Sequence, residues 1–353
     1  MRIGRTLAPA AAPMDWGALW SAAAGILSTG DPLLDLEEQI RRRFAMDHVW
    51  LVSSGTAALT LILKALKAGS AKRDVIIPAY TCFSVPAAVL HAGLRPVPCD
   101  IDAATFDFDP VLLERALGPN TLCVVAHDLF GVPSDIEAIR ALCGSRQIAV
   151  VEDAAQAMGV EAGGRKLGTR GDVGLFSLGR GKPLTCGGGG IVLTRSRALA
   201  GAIDRQYRRL GAPAMTTMWQ DWARMVLMTL FIRPQLYWLP AAIPQLRLGE
   251  TIYPRTIRME RLSPMQAGLF DGWHDRLMAH ILLREADALA RGSRGTPADG
   301  GANGLSRDRS PGARSRARDR APISHRRPPG CTRRSRALSR GRAHARIAER
   351  TWL

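Results

Sequence analysis

Between residues 31 and 290, short apolar runs alternate with stretches in which apolar side chains recur every three or four positions. The runs HVWLV (48–52), DVII (74–77), RPVPC (95–99), LCVVA (122–126), IAVVE (148–152), VGLFS (173–177) and GIVLT (190–194) have the length and β-branched content of strands. The helical periodicity falls at 33–45, 56–68, 84–92, 110–117, 134–144 and 196–209, with a further well-patterned helix at 262–291. A strand, helix, strand order repeated this often predicts an α/β fold with a mostly parallel seven-stranded sheet and helices on both faces. Ligands of such sheets sit at the carboxyl ends of the strands.

Two segments depart from this rhythm. Residues 218–246 are rich in Trp, Leu, Met and Pro, but Arg224, Arg233, Pro234 and Pro240 leave no run of about 20 apolar residues to span a membrane. They are read as an apolar insert that is buried or contacts a second copy; an interfacial helix lying on a membrane is the lesser alternative. From residue 292 to 353 the sequence is Arg, Ser, Gly, Pro and Ala without aliphatic periodicity, the composition of a disordered tail. Arginine without lysine, beginning abruptly after a patterned helix, fits a shifted reading frame in a GC-rich gene better than a genuine basic tail. The expected divisions are an N-terminal arm (1–30), a large domain (31–261), a connecting helix (262–291) and this tail.

Charge then changes less than the totals suggest. The chain carries a net +17, but residues 291–353 hold seventeen arginines against Asp299, Asp308, Asp319 and Glu349, leaving +4 for the rest. Basicity confined to the tail argues against a specific nucleic-acid partner. Six cysteines with no C-x-x-C pair suggest neither a zinc site nor a disulfide framework. With Asp15 and Trp16 interrupting any leader-like apolar run, the expected location is the cytoplasm.

Four segments carry candidate chemistry. LVSSGTAAL (51–59) runs from a strand into a helix; Gly55 lets backbone approach an anion, and free N–H groups favour phosphate there, although Ser or Thr before a helix commonly serves only as its cap. VVEDAAQAMG (150–159) delivers Glu152 and Asp153 to a strand tip. A carboxylate there can hold a protonated pyridine nitrogen or simply cap the next turn, while Gln156 faces the same side. GDVGLFSLGRGKPLTCGGGGIVLT (171–194) places Lys182, one of only five lysines, between a strand and a glycine run, with Ser177 before it. An amine that forms a Schiff base must lose its proton, which arginine does not do, so lysine at that position points to covalent chemistry rather than to an ordinary loop cation. The turn in VIIPAYTCFSVPAAVLHAGLRPVPCDID (75–102) bears Tyr80 and Phe83, an aromatic able to stack on a flat ring or to fill core.

Together with HDLFGVPSDIEAI (127–139), these motifs stand in the order and at the spacing of the DegT/DnrJ/StrS family, which residues 30–290 resemble. The resemblance implies a fold-type-I aminotransferase dependent on pyridoxal 5'-phosphate. Such an enzyme moves an amino group, from glutamate, to a nucleotide-linked keto sugar in polysaccharide or cell-surface glycan biosynthesis, and works as a homodimer. It implies that Lys182 carries the cofactor and shuttles the proton, that Asp153 pairs with the ring nitrogen, that Gln156 sits beside the ring hydroxyl, and that Gly55, Thr56 and Ser177 hold the phosphate. Sugar dehydratases resembling this family have histidine in place of the lysine, so Lys182 favours amination. Three departures stand out. Cys82 follows Thr81 where the family's stacking aromatic usually does, which moves Phe83 one place along; Gly188 stands where many relatives are acidic; and residues beyond 291 do not resemble the family's C-terminal small domain, which is therefore expected to be absent or degraded. That last departure leaves a catalytically impaired remnant or cofactor-binding scaffold as the alternative.

Overall fold

The computed structural model describes residues 14, 16–28, 30–233, 235–238 and 257–271. Its elements in chain order are α1 (Trp16–Leu27), α2 (Pro32–Phe44), β1 (His48–Val52), α3 (Gly55–Ala68), β2 (Asp74–Pro78), α4 (Ser84–His91), β3 (Arg95–Cys99), α5 (Pro110–Ala116), β4 (Thr121–His127), α6 (Ile136–Gly144), β5 (Ala149–Asp153), the short pair β6 (Glu161–Ala162) and β7 (Arg165–Lys166), β8 (Val173–Ser177), β9 (Gly190–Thr194), α7 (Arg197–Tyr207) and α8 (Met215–Phe231). The helices start where the sequence supplies caps. Asp31, Ser54, Asp109, Asp135 and Ser196 each accept a hydrogen bond from a first-turn N–H, and proline follows the cap in α2 and α5.

Seven strands form one sheet in the order β1-β9-β8-β5-β4-β2-β3, parallel except for β9, which runs antiparallel to both neighbours. This is the expected mostly parallel sheet. All seven residues of β4 are buried, as a central strand covered on both faces requires. Its alternation sorts the two sides: Cys123 and Val125 pack with α3, α4 and α7, while Val124 and Ala126 pack with α5 and α6. On that second side β1, β8 and β9 meet α1, α2 and α8 through Leu51, Phe176 and Ile191.

All seven expected strands lie within one residue of their positions, with 48–52, 95–99, 173–177 and 190–194 coinciding outright, and all six of the expected helices from 33 to 209 lie within two residues of theirs. Inside the stretch read as an N-terminal arm the structure places α1, whose Leu19, Ala22 and Ile26 are core residues. Gly25 of α1 and Gly268 of the helical stretch 264–271 allow a close crossing, since a Cβ on either would strike backbone of the other segment. Of the apolar insert, α8 covers the first half, and residues 239–256 lie outside the described part, as do 1–13, the rest of the connecting helix and the tail. Among the described residues no helix is long and apolar enough to cross a membrane.

Candidate active site

The carboxyl ends of β4, β5 and β8 bring the sequence's polar residues together. His127 and Asp153 end adjacent strands in direct register. His127 is buried, with Nε2 3.1 Å from the Phe106 carbonyl oxygen. Asp153 Oδ1 accepts the Ala155 N–H at 3.1 Å. Burial pushes the Asp153 carboxyl above its ordinary range, and that hydrogen bond together with the charge of Lys182 and the His127 ring pulls it partly back. The lysine is thus within electrostatic reach of the carboxylate although 29 positions separate them in the chain.

Lys182 stands in the loop joining β8 to β9. The loop is built on a relay: the Gly179 N–H donates to Ser177 Oγ at 3.4 Å, and the Lys182 N–H donates to the Gly179 carbonyl at 3.3 Å. A cleft of about 490 Å³ opens beside it, lined by Phe130, Gln156, Gly181, Lys182 and Pro183, a size suited to a small organic ligand. Gln156 Oε1 accepts the Phe130 N–H at 2.8 Å, which leaves its amide N–H groups as the donors it can offer a ligand.

Across the relay lies the amino end of α3. Ser54 Oγ accepts the Ala57 N–H at 3.0 Å, while Gly55 and Thr56 belong to the first turn, whose N–H groups have no partner within the helix. Gly55 is pressed against the end of β8 so closely that a Cβ there would lie 2.7 Å from Ser177 Cβ and 2.9 Å from its Oγ. A helix amino end, a hydroxyl and a side-chainless residue meeting at one point make a fit for an anion such as phosphate. The cleft with its amine and amide, and the partly buried Asp153 carboxylate within electrostatic reach of that amine, fit a flat ring bearing a protonated nitrogen.

Of the expected site residues, Lys182 and Gln156 line the cleft, Asp153 interacts with Lys182, and Gly55 and Ser177 are in contact with Thr56 beside them. Phe83 is the residue preceding α4, 40% exposed and not among the cleft's lining. The aromatic in the lining is Phe130, 63% exposed and stacked edge to face on Phe106 at 5.9 Å. Phe130 holds a left-handed backbone (φ 58), unusual for a residue with a Cβ and a sign that the turn aims its side chain. Sequence reading gave roles to neither Phe130 nor His127. Both lie in the HDLFG run, whose motif was visible while its geometry was not.

Residues 17–248 match the DegT/DnrJ/EryC1/StrS aminotransferase family. The chain is 36% identical over 172 residues to the L-glutamine:2-deoxy-scyllo-inosose aminotransferase of Micromonospora echinospora, a match covering 46% of this chain and 41% of that protein. It is 37% identical over 198 residues to the dTDP-3-amino-3,4,6-trideoxy-alpha-D-glucose transaminase of Streptomyces venezuelae, over 54% of this chain and 52% of the other. The chain thus spans about half the length of the curated relatives it matches. Among solved structures, the E. coli GDP-4-keto-6-deoxy-D-mannose-3-dehydratase with bound hydrated PLP superimposes with a TM-score of 0.59 at 20% identity, covering 81% of this chain and 71% of that one. At that identity the likeness is one of fold.

Proposed function

Because the chain belongs to the DegT/DnrJ/EryC1/StrS aminotransferase family, we propose that it is a pyridoxal 5'-phosphate-dependent enzyme moving an amino group from glutamate to a nucleotide-linked keto sugar, in the assembly of polysaccharide or cell-surface glycan. The observation that carries this reading is that Lys182 and Gln156 line one cleft, with Asp153 within electrostatic reach of Lys182, and that Gly55 meets Ser177 at the end of the strand leading to Lys182. The bound cofactor supplies an electron sink for the carbon that gains or loses the amino group. Lys182 would hold it covalently, and its amine would carry the proton to and from that carbon. Asp153, partly desolvated, gains most from a cationic ring nitrogen, because that partner offsets the cost of its buried charge. Gln156 donates to the ring oxygen. The first turn of α3 and Ser177 hold the phosphate, and the ring is stacked by Phe130, which lines the cleft, in preference to Phe83.

The enzyme acts in the cytoplasm as a homodimer. The surface offered to the second copy is the exposed apolar side of α1 and α8, which pack together through the Trp222 Nε1–H bond to the Leu19 carbonyl at 3.0 Å.

The test is borohydride reduction of the full chain incubated with the cofactor, followed by peptide mapping and by product analysis with glutamate and a nucleotide-linked keto sugar. The expected results are a reduced adduct on Lys182, an aminated sugar, and neither from Lys182→Ala. An adduct that persists in Lys182→Ala would sink the assignment. A Lys182 adduct without turnover on any keto sugar would reduce the protein to a cofactor-binding remnant, and loss of a hydroxyl in place of amination would make it a dehydratase.

A further inference from the structure

Glu152 precedes Asp153 on β5 and so points to the opposite face of the sheet. There it meets Arg170 and Asp128, and all three side chains are buried. Arg170 spends its guanidinium on three acceptors in three places: Nε donates to Glu152 Oε1 at 2.9 Å, Nη2 to Asp128 Oδ1 at 2.8 Å and Nη1 to the Ser134 carbonyl at 3.1 Å. Glu152 Oε2 in turn accepts the backbone N–H groups of Arg170 and Gly171 at 2.6 and 2.9 Å. Asp128 and Ser134 are the two ends of the turn that carries Phe130 to the cleft, and they are themselves joined by the Ser134 N–H bond to Asp128 Oδ1 at 3.0 Å. One cation therefore pins both feet of the turn to the strand that bears Asp153.

We propose that Arg170 is a positioning residue of the cofactor cleft, clamping the 128–134 turn to β5 so that Phe130 and Gln156 are held as a fixed wall against the bound ring. The proposal rests on the functional reading above, since it is the cofactor that the wall contacts. Lysine could not replace Arg170, because a point charge cannot reach three divergent acceptors as a planar fork does.

The clamp is also short of one positive charge. Two carboxylates share one guanidinium, and Asp128 Oδ2 is buried without a donor. The charged groups that face Asp128 are Glu152 from β5 and Arg170 from the segment following β7. A buried unbalanced charge is costly, so Asp128 keeps a proton, which it donates towards Glu152. Burial and the Glu152 charge push the Asp128 carboxyl up to about 8. Below that pH the clamp is charge-balanced. Above it, two facing carboxylates repel and the turn loosens.

Four proteins test this: the parent, Arg170→Met, Arg170→Lys and Asp128→Asn, each measured for pyridoxal phosphate affinity across pH 7–9 (a window of about one unit either side of the Asp128 value) and for amide exchange of residues 128–134. Arg170→Met should exchange faster in the turn and bind cofactor about tenfold more weakly, within the up to ~100-fold that a small misplacement costs. At saturating cofactor it should still give the reduced Lys182 adduct, and Arg170→Lys should not restore affinity. Asp128→Asn keeps the acceptor for Arg170 and Ser134 and supplies a permanent donor to Glu152. It should fold even if Arg170→Met does not, and it should abolish the fall in affinity that the parent shows above about pH 8. Parental affinity in Arg170→Met, or the same alkaline fall in Asp128→Asn, overturns the clamp. A parent that gives no Lys182 adduct overturns the functional reading, and the clamp with it.

Discussion

Two regions of this molecule break the usual sorting of side chains in opposite directions. At the carboxyl ends of β4, β5 and β8, charge is taken inside: Asp128, Glu152 and Arg170 are buried, and Asp153 is desolvated enough to raise its carboxyl. On α1 and α8, apolar surface is left outside: Trp16, Trp20 and Leu27 line one side of the first helix, and Met215, Trp219, Leu227, Leu230 and Phe231 one side of the second, with α1 carrying no charge at all. Each exception costs stability in the isolated chain, and each is relieved by a partner of a different kind. On the proposed reading the desolvated Asp153 carboxylate is relieved by a small cation-bearing ligand, and the bare helices by a surface of several hundred Å² or more. On that reading, charge marks the site of chemistry and apolar exposure the site of assembly.

The comparison breaks most visibly at the helices. Trp20 and Leu227 are 70% and 54% exposed, so replacing both by glutamate leaves the fold intact while placing charge in the centre of the proposed contact. With about 2 kcal/mol lost at each anchor, association weakens roughly 1,000-fold, and sedimentation velocity should show the double variant as a monomer where the parent is a dimer. A parent that sediments as a monomer and floats with anionic vesicles would instead assign this face to a membrane surface, the alternative that the Arg-flanked insert also fits.

Asp153→Asn sharpens the other side. If Asp153 pairs with the ring nitrogen as proposed, the loss of that charge-assisted hydrogen bond, worth about 1.5–3 kcal/mol, lowers kcat/KM about 10- to 100-fold. The apo-protein should move the other way. A carboxyl whose folded pKa lies above its unfolded value holds its proton longer in the native state, so the parent loses stability as pH rises from the ordinary carboxylate range to the folded pKa and stays at the lower level beyond it. The asparagine variant escapes that loss. Its apo Tm should exceed the parent's by an amount that grows across that window, at about 2–4 °C for each 1 kcal/mol. An apo Tm below the parent's at neutral pH would mean that Asp153 is held by structure rather than for a ligand.

The sheet was legible in the sequence because its strands are short unbroken apolar runs and its helices carry their own caps. The lysine, the carboxylate and the glycine stood out because each is an odd residue for its place: Lys182 in a chain with only four other lysines, Asp153 after Val150 and Val151, Gly55 at a helix start. The Asp128, Glu152 and Arg170 clamp was not legible, since its members are 18 to 42 positions apart and no local pattern pairs them. Phe130 escaped for a related reason. Its place in the cleft depends on a left-handed backbone that no side-chain pattern announces. Helix α1 was hidden by the Ala/Pro-rich segment before it and by its nearly uniform apolarity, which gives a weak helical period even though Leu19 and Ile26 are core.

The smallest effect expected is at Gly55, and it separates packing from ligand binding most finely. The residue has an ordinary backbone conformation and lies at a helix start that alanine would favour, so on propensity alone Gly55→Ala should stabilise α3. The added methyl, however, would sit 2.7 Å from Ser177 Cβ and 2.9 Å from its Oγ. Neither atom is the far end of a flexible chain, so the strand end must shift, at a cost of about 1–3 kcal/mol that outweighs the propensity gain. Because the shift moves Ser177 away from the first turn of α3, cofactor phosphate should be held less firmly, by less than about tenfold, while the Lys182 adduct still forms. Gly55→Ala paired with Ser177→Gly gives the decisive reading. Removing the Ser177 side chain makes room for the methyl and should restore Tm, but it also deletes a phosphate ligand and should leave the affinity low. If affinity recovers along with Tm, Ser177 contributes shape alone, and the phosphate is held by the α3 backbone.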